Sequence, residues 1–285
     1  MATTTRISAP PRTSSVLALW HLLSLDAPTV AALWTCFIAR ATHTTIPAAL
    51  PVAMFLMVWL LYATDRLLDA RDLDGRVPHN RYMRSSEHRH HQPEFELRHL
   101  FHFRHRRVFL AIMPAAGLGI AALLPDLLPA TLHLYLVEGA LLLAWFLLVH
   151  TTRSRLPKEL VVGLYFAAAT FTPTLIRRPP APYSLLLQAL LFAALCTLNC
   201  LFIHAWQSNI FSAQRGLIKA AQVLCLVSIA SALTGPAPAL PIACALSHVA
   251  LLVLHRLRSS VSRTHLRAAA DFALLTPVLL LPFLR

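Results

Sequence analysis

Residues Leu61 to Arg84 read LYATDRLLDARDLDGRVPHNRYMR, and here a wholly apolar run gives way to carboxylates. Asp65, Asp69 and Asp72 are spaced i, i+4 and i+7, so on a continuing helix they share one face. Three like charges this close repel unless a cation or arginines neutralise them. Arg66, Arg71 and Arg76 are interleaved with them. The stretch therefore has two readings: a site for a metal ion or a phosphorylated ligand, or a solvated helix end laced with Asp–Arg pairs.

What surrounds the stretch sets the class. Of 285 residues 57% are hydrophobic and 13% charged, and the mean hydropathy is +0.61. Soluble domains carry about 25% charged residues, so an ordinary globular protein is excluded. Seven glycines against 20 prolines suit helices punctuated by proline better than the alternating strands of a membrane barrel. The expectation is an all-α, polytopic membrane protein. The net charge of +13 does not point to nucleic acid, because excess Lys and Arg in a membrane protein sit in loops and set its topology.

A spanning helix needs about 20 apolar residues, which gives nine spans at about 16–38, 46–64, 108–125, 130–150, 159–176, 184–205, 217–234, 238–255 and 267–284. All 25 Lys and Arg but four (Arg40, Arg177, Arg178 and Arg285) then fall on one side. The positive-inside rule makes that side cytoplasmic, with the N-terminus in and the C-terminus out. One domain, 1–285, holds all nine helices. The polar N-terminus and the interruption of the first span by His21 and Asp26 argue against a cleavable signal peptide.

The long loop at about 66–107 carries seven of the 15 histidines, among them EHRHH at Glu87–His91, whose spacing matches no structural zinc pattern. A basic helix lying in the membrane interface over Glu94–Phe109, with Phe95, Leu97, Leu100, Phe101 and Phe103 toward lipid, explains the region better. The five cysteines form no C-x-x-C pair, and Cys196 and Cys200 read as small residues packed between helices.

Asp26, Glu138 and Asp271 fall inside predicted spans, where ionisable groups are costly and face a cavity or a partner. Pro28 after Asp26 predicts a kink that opens a polar pocket. Glu138 is expected to pair with a histidine or line a cavity, and Asp271 to form a local salt bridge with Arg267, four residues earlier. At the cytoplasmic mouth, Arg153, Arg155 and Lys158 are suited to a diphosphate, or serve only as topology signals. The loop after the sixth span offers Asn199, His204, Gln207 and Asn209, all without a carboxylate.

Two motifs and the layout resemble the UbiA superfamily of intramembrane prenyltransferases. SLDAP (Ser24–Pro28) is similar to that family's R-x-D-K-P, and DRLLD (Asp65–Asp69) to half of its first aspartate-rich motif. The resemblance implies a polar chamber in a nine-helix bundle, a prenyl diphosphate bound with Mg2+, and transfer of the prenyl group to an aromatic or other lipid-soluble acceptor. It assigns Asp65 and Asp69, with Asp72, to the metal and to catalysis. Asp26, Arg66, Arg155, Lys158, Asn199, His204 and Gln207 are assigned to substrate binding. The chain departs from the pattern where Leu61 replaces asparagine, where Ser24 and Ala27 flank Asp26, and where the second aspartate cluster is missing, since amides and imidazole are poor Mg2+ ligands beside carboxylates. Two other readings remain open: a non-catalytic lipid- or quinone-binding protein on the same fold, and a small-solute carrier with Asp26 and Glu138 lining its path. The D-x-x-D-G-x-x-A-R core of the CDP-alcohol phosphotransferases is not met, because Arg71 stands at its first aspartate position.

Overall fold

The computed structural model describes residues 16–74, 100–151, 158–177, 183–208, 211–235 and 237–284, and every regular element among them is helical. The helices are α1 (Val16–Leu22), α2 (Asp26–Ala41), α3 (Ala49–Asp74), α4 (Arg106–Leu123), α5 (Pro129–Thr151), α6 (Lys158–Arg177), α7 (Tyr183–Ser208), α8 (Phe211–Thr234), α9 (Ala239–Leu257), α10 (Arg263–Phe272) and the short α11 (Pro277–Leu280). Seven segments are long and apolar enough to cross a membrane: Ala49–Ala70, Arg106–Asp126, Lys158–Arg177, Tyr183–Gln207, Gln214–Thr234, Ala239–Leu257 and Thr264–Phe283. The bent pair α1–α2 raises the number to eight, and α5 contributes a shorter apolar stretch, Pro129–Trp145. Leu118, Leu136, Leu141, Leu226 and Leu233 are exposed on the outer faces of α4, α5 and α8, as lipid contact requires.

Of the nine expected spans, not every one is a single unbroken helix among the described residues. The first, at 16–38, is not one helix, because α1 and α2 meet at 92°. The chain turns at Ser24, whose φ of 59° lies in the left-handed region. Pro28 favours a break here, because in a continuous helix its ring would meet the Ser24 carbonyl four residues earlier. It sits in the first turn of α2, where a missing N–H costs nothing. Side chains of α3 reach carbonyls at the corner: Trp59 Nε1 donates to the Leu23 oxygen at 3.2 Å, and Arg66 Nη1 at 3.4 Å joins the Ser24 N–H on the His21 oxygen. Irregular backbone at membrane depth persists where protein groups satisfy it in this way.

The last span is broken by the same logic. After α10 the chain passes through 3-10 turns at Ala273–Leu275 and Leu281–Phe283, and Pro277 and Pro282 withhold donors. The free Leu274 oxygen accepts from Trp34 Nε1 at 2.8 Å, and Thr276 Oγ1 donates to the Ala243 oxygen at 2.9 Å. Trp34, fully buried with Phe37, Phe171, Phe192 and Phe202, anchors the main core where α2, α6, α7, α9 and α10 meet. Its ring lies 4.1 Å from that of Phe192.

Residues 100–104 are helical, with Leu100 exposed and Phe101 and Phe103 half-buried, while the opposite face turns inward. His102 is fully buried, its Nε2 3.2 Å from Ser24 Oγ, and its ring stacks on Phe109 at 4.6 Å. The burial of His102 pins the end of the long loop to the corner between α1 and α2. The expected start of that loop is corrected, since residues 66–74 continue α3, and residues 75–99, including EHRHH and 94–99, lie outside the described residues.

Candidate functional site

The corner at Ser24 places Asp26 at the start of α2, where its Oδ1 accepts from the Ala27 N–H at 3.0 Å. Its Oδ2 accepts from His21 Nδ1, on α1, at 2.5 Å. On α3 the inward positions are Trp59, Ala63, Arg66 and Ala70, a helical stripe in which Arg66 is the charged member. Arg66 Nη2 stands 3.8 Å from Asp26 Oδ2, and its guanidinium lies 5.8 Å from the Tyr62 ring. His21, Asp26 and Arg66 are each no more than 3% exposed. Charges buried this deeply persist only when paired and hydrogen-bonded.

A second half of the cluster comes from the far end of the chain. Asp271 on α10 does not settle into a local pair with Arg267. Its Oδ1 accepts from Asn199 Nδ2, on α7, at 2.9 Å, and Arg267 acts on it at longer range. Ligand atoms of His21, Asp26 and Asp271 lie within 4.8 Å of one another. The field of Arg267 reaches Asp26, Asp271 and Arg66 alike. Five helices (α1, α2, α3, α7 and α10) thus bring two carboxylates, two guanidiniums, an imidazole and an amide to one point in the bundle. Sequence reasoning gave Asp271 no part in a site. The available signal was an aspartate inside a predicted span.

The other predicted site residues are placed differently. Asp65 and Asp69 lie on a flank of α3 away from its inward stripe, Asp65 half-buried and Asp69 exposed. Asn199 belongs to the buried cluster, whereas His204 is exposed with its Nδ1 3.8 Å from Glu159 Oε1 on α6. Gln207 is half-buried and Lys158 exposed at the start of α6. The side chain of Asp72, and Arg153, Arg155 and Asn209, lie outside the described residues. Glu138 pairs with no histidine: its Oε1 accepts from Thr172 Oγ1 at 2.5 Å, joining α5 to α6.

Mg2+ chemistry fits this arrangement in part. Asp65 and Asp69, one turn apart on a flank that reaches solvent, suit one Mg2+ that keeps water or phosphate as its other ligands. Asn199, turned toward Asp271, and exposed His204 supply no second carboxylate pair. Compared with known proteins, the chain matches no family model, no curated protein and no solved structure.

Proposed function

We propose that this chain is an integral membrane enzyme of the UbiA-like prenyltransferase type, acting on a prenyl diphosphate and a lipid-soluble acceptor from the bilayer. One observation carries the reading. The two short motifs that resemble the family, some 40 residues apart in sequence, touch through Arg66 of DRLLD and Asp26 of SLDAP. In this reading Asp65 and Asp69, with Asp72, hold Mg2+ on the flank of α3 at the cytoplasmic mouth. The metal, when bound, offsets charge on the departing diphosphate. Lys158 and Arg155 are the cations assigned to the diphosphate, while Arg66 and Asp26 fix the helices that carry the metal ligands. His204 and Gln207 belong to the α7 side of the mouth, and Asn199 holds Asp271 in the buried cluster behind it. Cleavage of the allylic C–O bond releases diphosphate, and the acceptor gives up a proton as the new C–C bond forms.

The test is binding of a labelled prenyl diphosphate by protein in detergent. Mg2+-dependent binding that drops at least tenfold in Asp65→Asn and Asp69→Asn supports the reading. Unchanged Mg2+-dependent binding in both variants removes the site assignment. A second reading, an ion-coupled carrier, is favoured by the broken α1–α2 pair with a buried carboxylate at the corner, an arrangement used for coupling-ion sites. Solute uptake into liposomes abolished by Asp26→Asn, without prenyl diphosphate binding, decides for the carrier.

A further inference from the structure

We propose that His21, Asp26 and Asp271, together with the side-chain oxygen of Asn199, form a binding site for a single divalent transition-metal ion. The site stands whichever reading of function holds, and it is separate from the Asp65–Asp69 flank. Two observations meet in it. The first is convergence: one nitrogen and two carboxylate oxygens from α1, α2 and α10 lie within 4.8 Å of one another in a buried setting. Carboxyl groups at this range repel unless a proton or a cation stands between them.

The second observation is an unsatisfied acceptor. Asn199 is 3% exposed, and while its Nδ2 donates to Asp271 Oδ1, its Oδ1 has no hydrogen-bond partner. A buried amide oxygen left without a donor costs about 1–3 kcal/mol. With the Asn199 amide turned over, so that its oxygen rather than Nδ2 faces Asp271, a cation there answers both the repulsion and the orphaned oxygen.

The neighbouring arginines oppose a cation, and their geometry sets how far. Arg66 Nη2, 3.8 Å from Asp26 Oδ2, is beyond hydrogen-bond distance, so it leaves lone pairs of that carboxylate available. Its own donor at Nη1 is spent on the His21 carbonyl. Arg267 Nε is buried without an acceptor, and an anionic or water ligand completing the coordination gives it one. The donor set decides which ion is preferred. One imidazole, two carboxylates and an amide oxygen suit Mn2+, Fe2+ or Zn2+, whereas Mg2+ prefers an all-oxygen octahedron.

The experiment uses full-length protein purified in detergent, stripped with a chelator and titrated with Mn2+, following free Mn2+ by electron paramagnetic resonance. One tightly held Mn2+ per chain is expected, with Mg2+ competing at least tenfold more weakly, and any weaker Mn2+ taken up by the Asp65–Asp69 flank is lost in Asp65→Asn with Asp69→Asn. Asp271→Asn and His21→Ala lower the affinity for the tightly held Mn2+ at least tenfold, while Asp65→Asn with Asp69→Asn leaves it unchanged. Asn199→Asp adds a third carboxylate and tightens Mn2+ binding several-fold, a gain that misfolding cannot imitate. Absence of saturable Mn2+ binding by the unaltered protein overturns the proposal and leaves a shared proton between the carboxyls. The proposal is equally overturned if monodisperse Asp271→Asn and Asn199→Asp proteins both bind Mn2+ as the parent does. Prenyl diphosphate binding is scored separately, so failure here does not touch the proposed function.

Discussion

Arg66 of α3 clasps the corner between α1 and α2, with Nη2 3.8 Å from Asp26 Oδ2 and Nη1 donating to the His21 carbonyl at 3.4 Å. One side chain thus balances a buried carboxylate and adds a second hydrogen bond to a carbonyl that already accepts from the Ser24 N–H.

Removing one partner of a buried charge pair leaves the other uncompensated. Arg66→Ala is expected to cost about 3–5 kcal/mol of stability in detergent. The double variant Asp26→Asn with Arg66→Met leaves neither charge behind and should be the more stable of the two. Equal or greater loss in the double variant, read by thermal unfolding, argues that Arg66 acts only through packing.

Ser24 holds a left-handed backbone with φ of 59° while its hydroxyl meets His102. Ser24→Gly keeps that conformation at low cost and gives up only the hydrogen bond, about 1 kcal/mol. Ser24→Val, β-branched, adds roughly 1–2 kcal/mol of backbone strain to the same loss. The ranking Ser over Gly over Val in melting temperature checks this. A valine variant as stable as the glycine one is incompatible with the corner.

Gly163 on α6 is where α7 comes closest. A Cβ there would stand 2.7 Å from the Ala193 carbonyl oxygen and would collide with Thr197 Oγ1. Gly163→Ala therefore forces the two helices apart, at about 1–3 kcal/mol. Gly117 on α4 has no atom within 4 Å of its added Cβ, so Gly117→Ala should be neutral or mildly stabilising. Comparing the two variants in one unfolding assay separates contact from helix propensity.

Trp34 Nε1 supplies the hydrogen bond to the Leu274 oxygen inside the broken last span. Trp34→Phe keeps most of the ring and withdraws the donor, with an expected loss of about 1–3 kcal/mol. Trp34→Ala also opens the cluster around Phe192, for about 3–5 kcal/mol. If Trp34→Phe unfolds at the parent temperature, water or another group serves that carbonyl.

The sequence by itself determined that this is a helical membrane protein, because runs of about 20 apolar residues leave few other choices. It also marked Asp26, Glu138 and Asp271 as exceptional, since an ionisable group in an apolar run needs a partner. In LYATDRLLDARDLDGR the i, i+4 spacing drew attention to Asp65 and Asp69, yet it is Arg66 between them that enters the bundle. Spacing fixes which residues share a helix face but not which face turns inward. That choice rests on packing against α2 and α4, where Trp59 and Ala63 meet Phe109 and Ala116. The break was legible only as a kink near Pro28; its place at Ser24 and its angle were not, because hydropathy is blind to backbone angle and the corner draws donors such as Trp59 and Arg66 from a neighbouring helix. Tertiary structure alone brought Asp271 and Asn199 to Asp26. Residues more than 170 positions apart become partners through helix packing, and no local pattern records it.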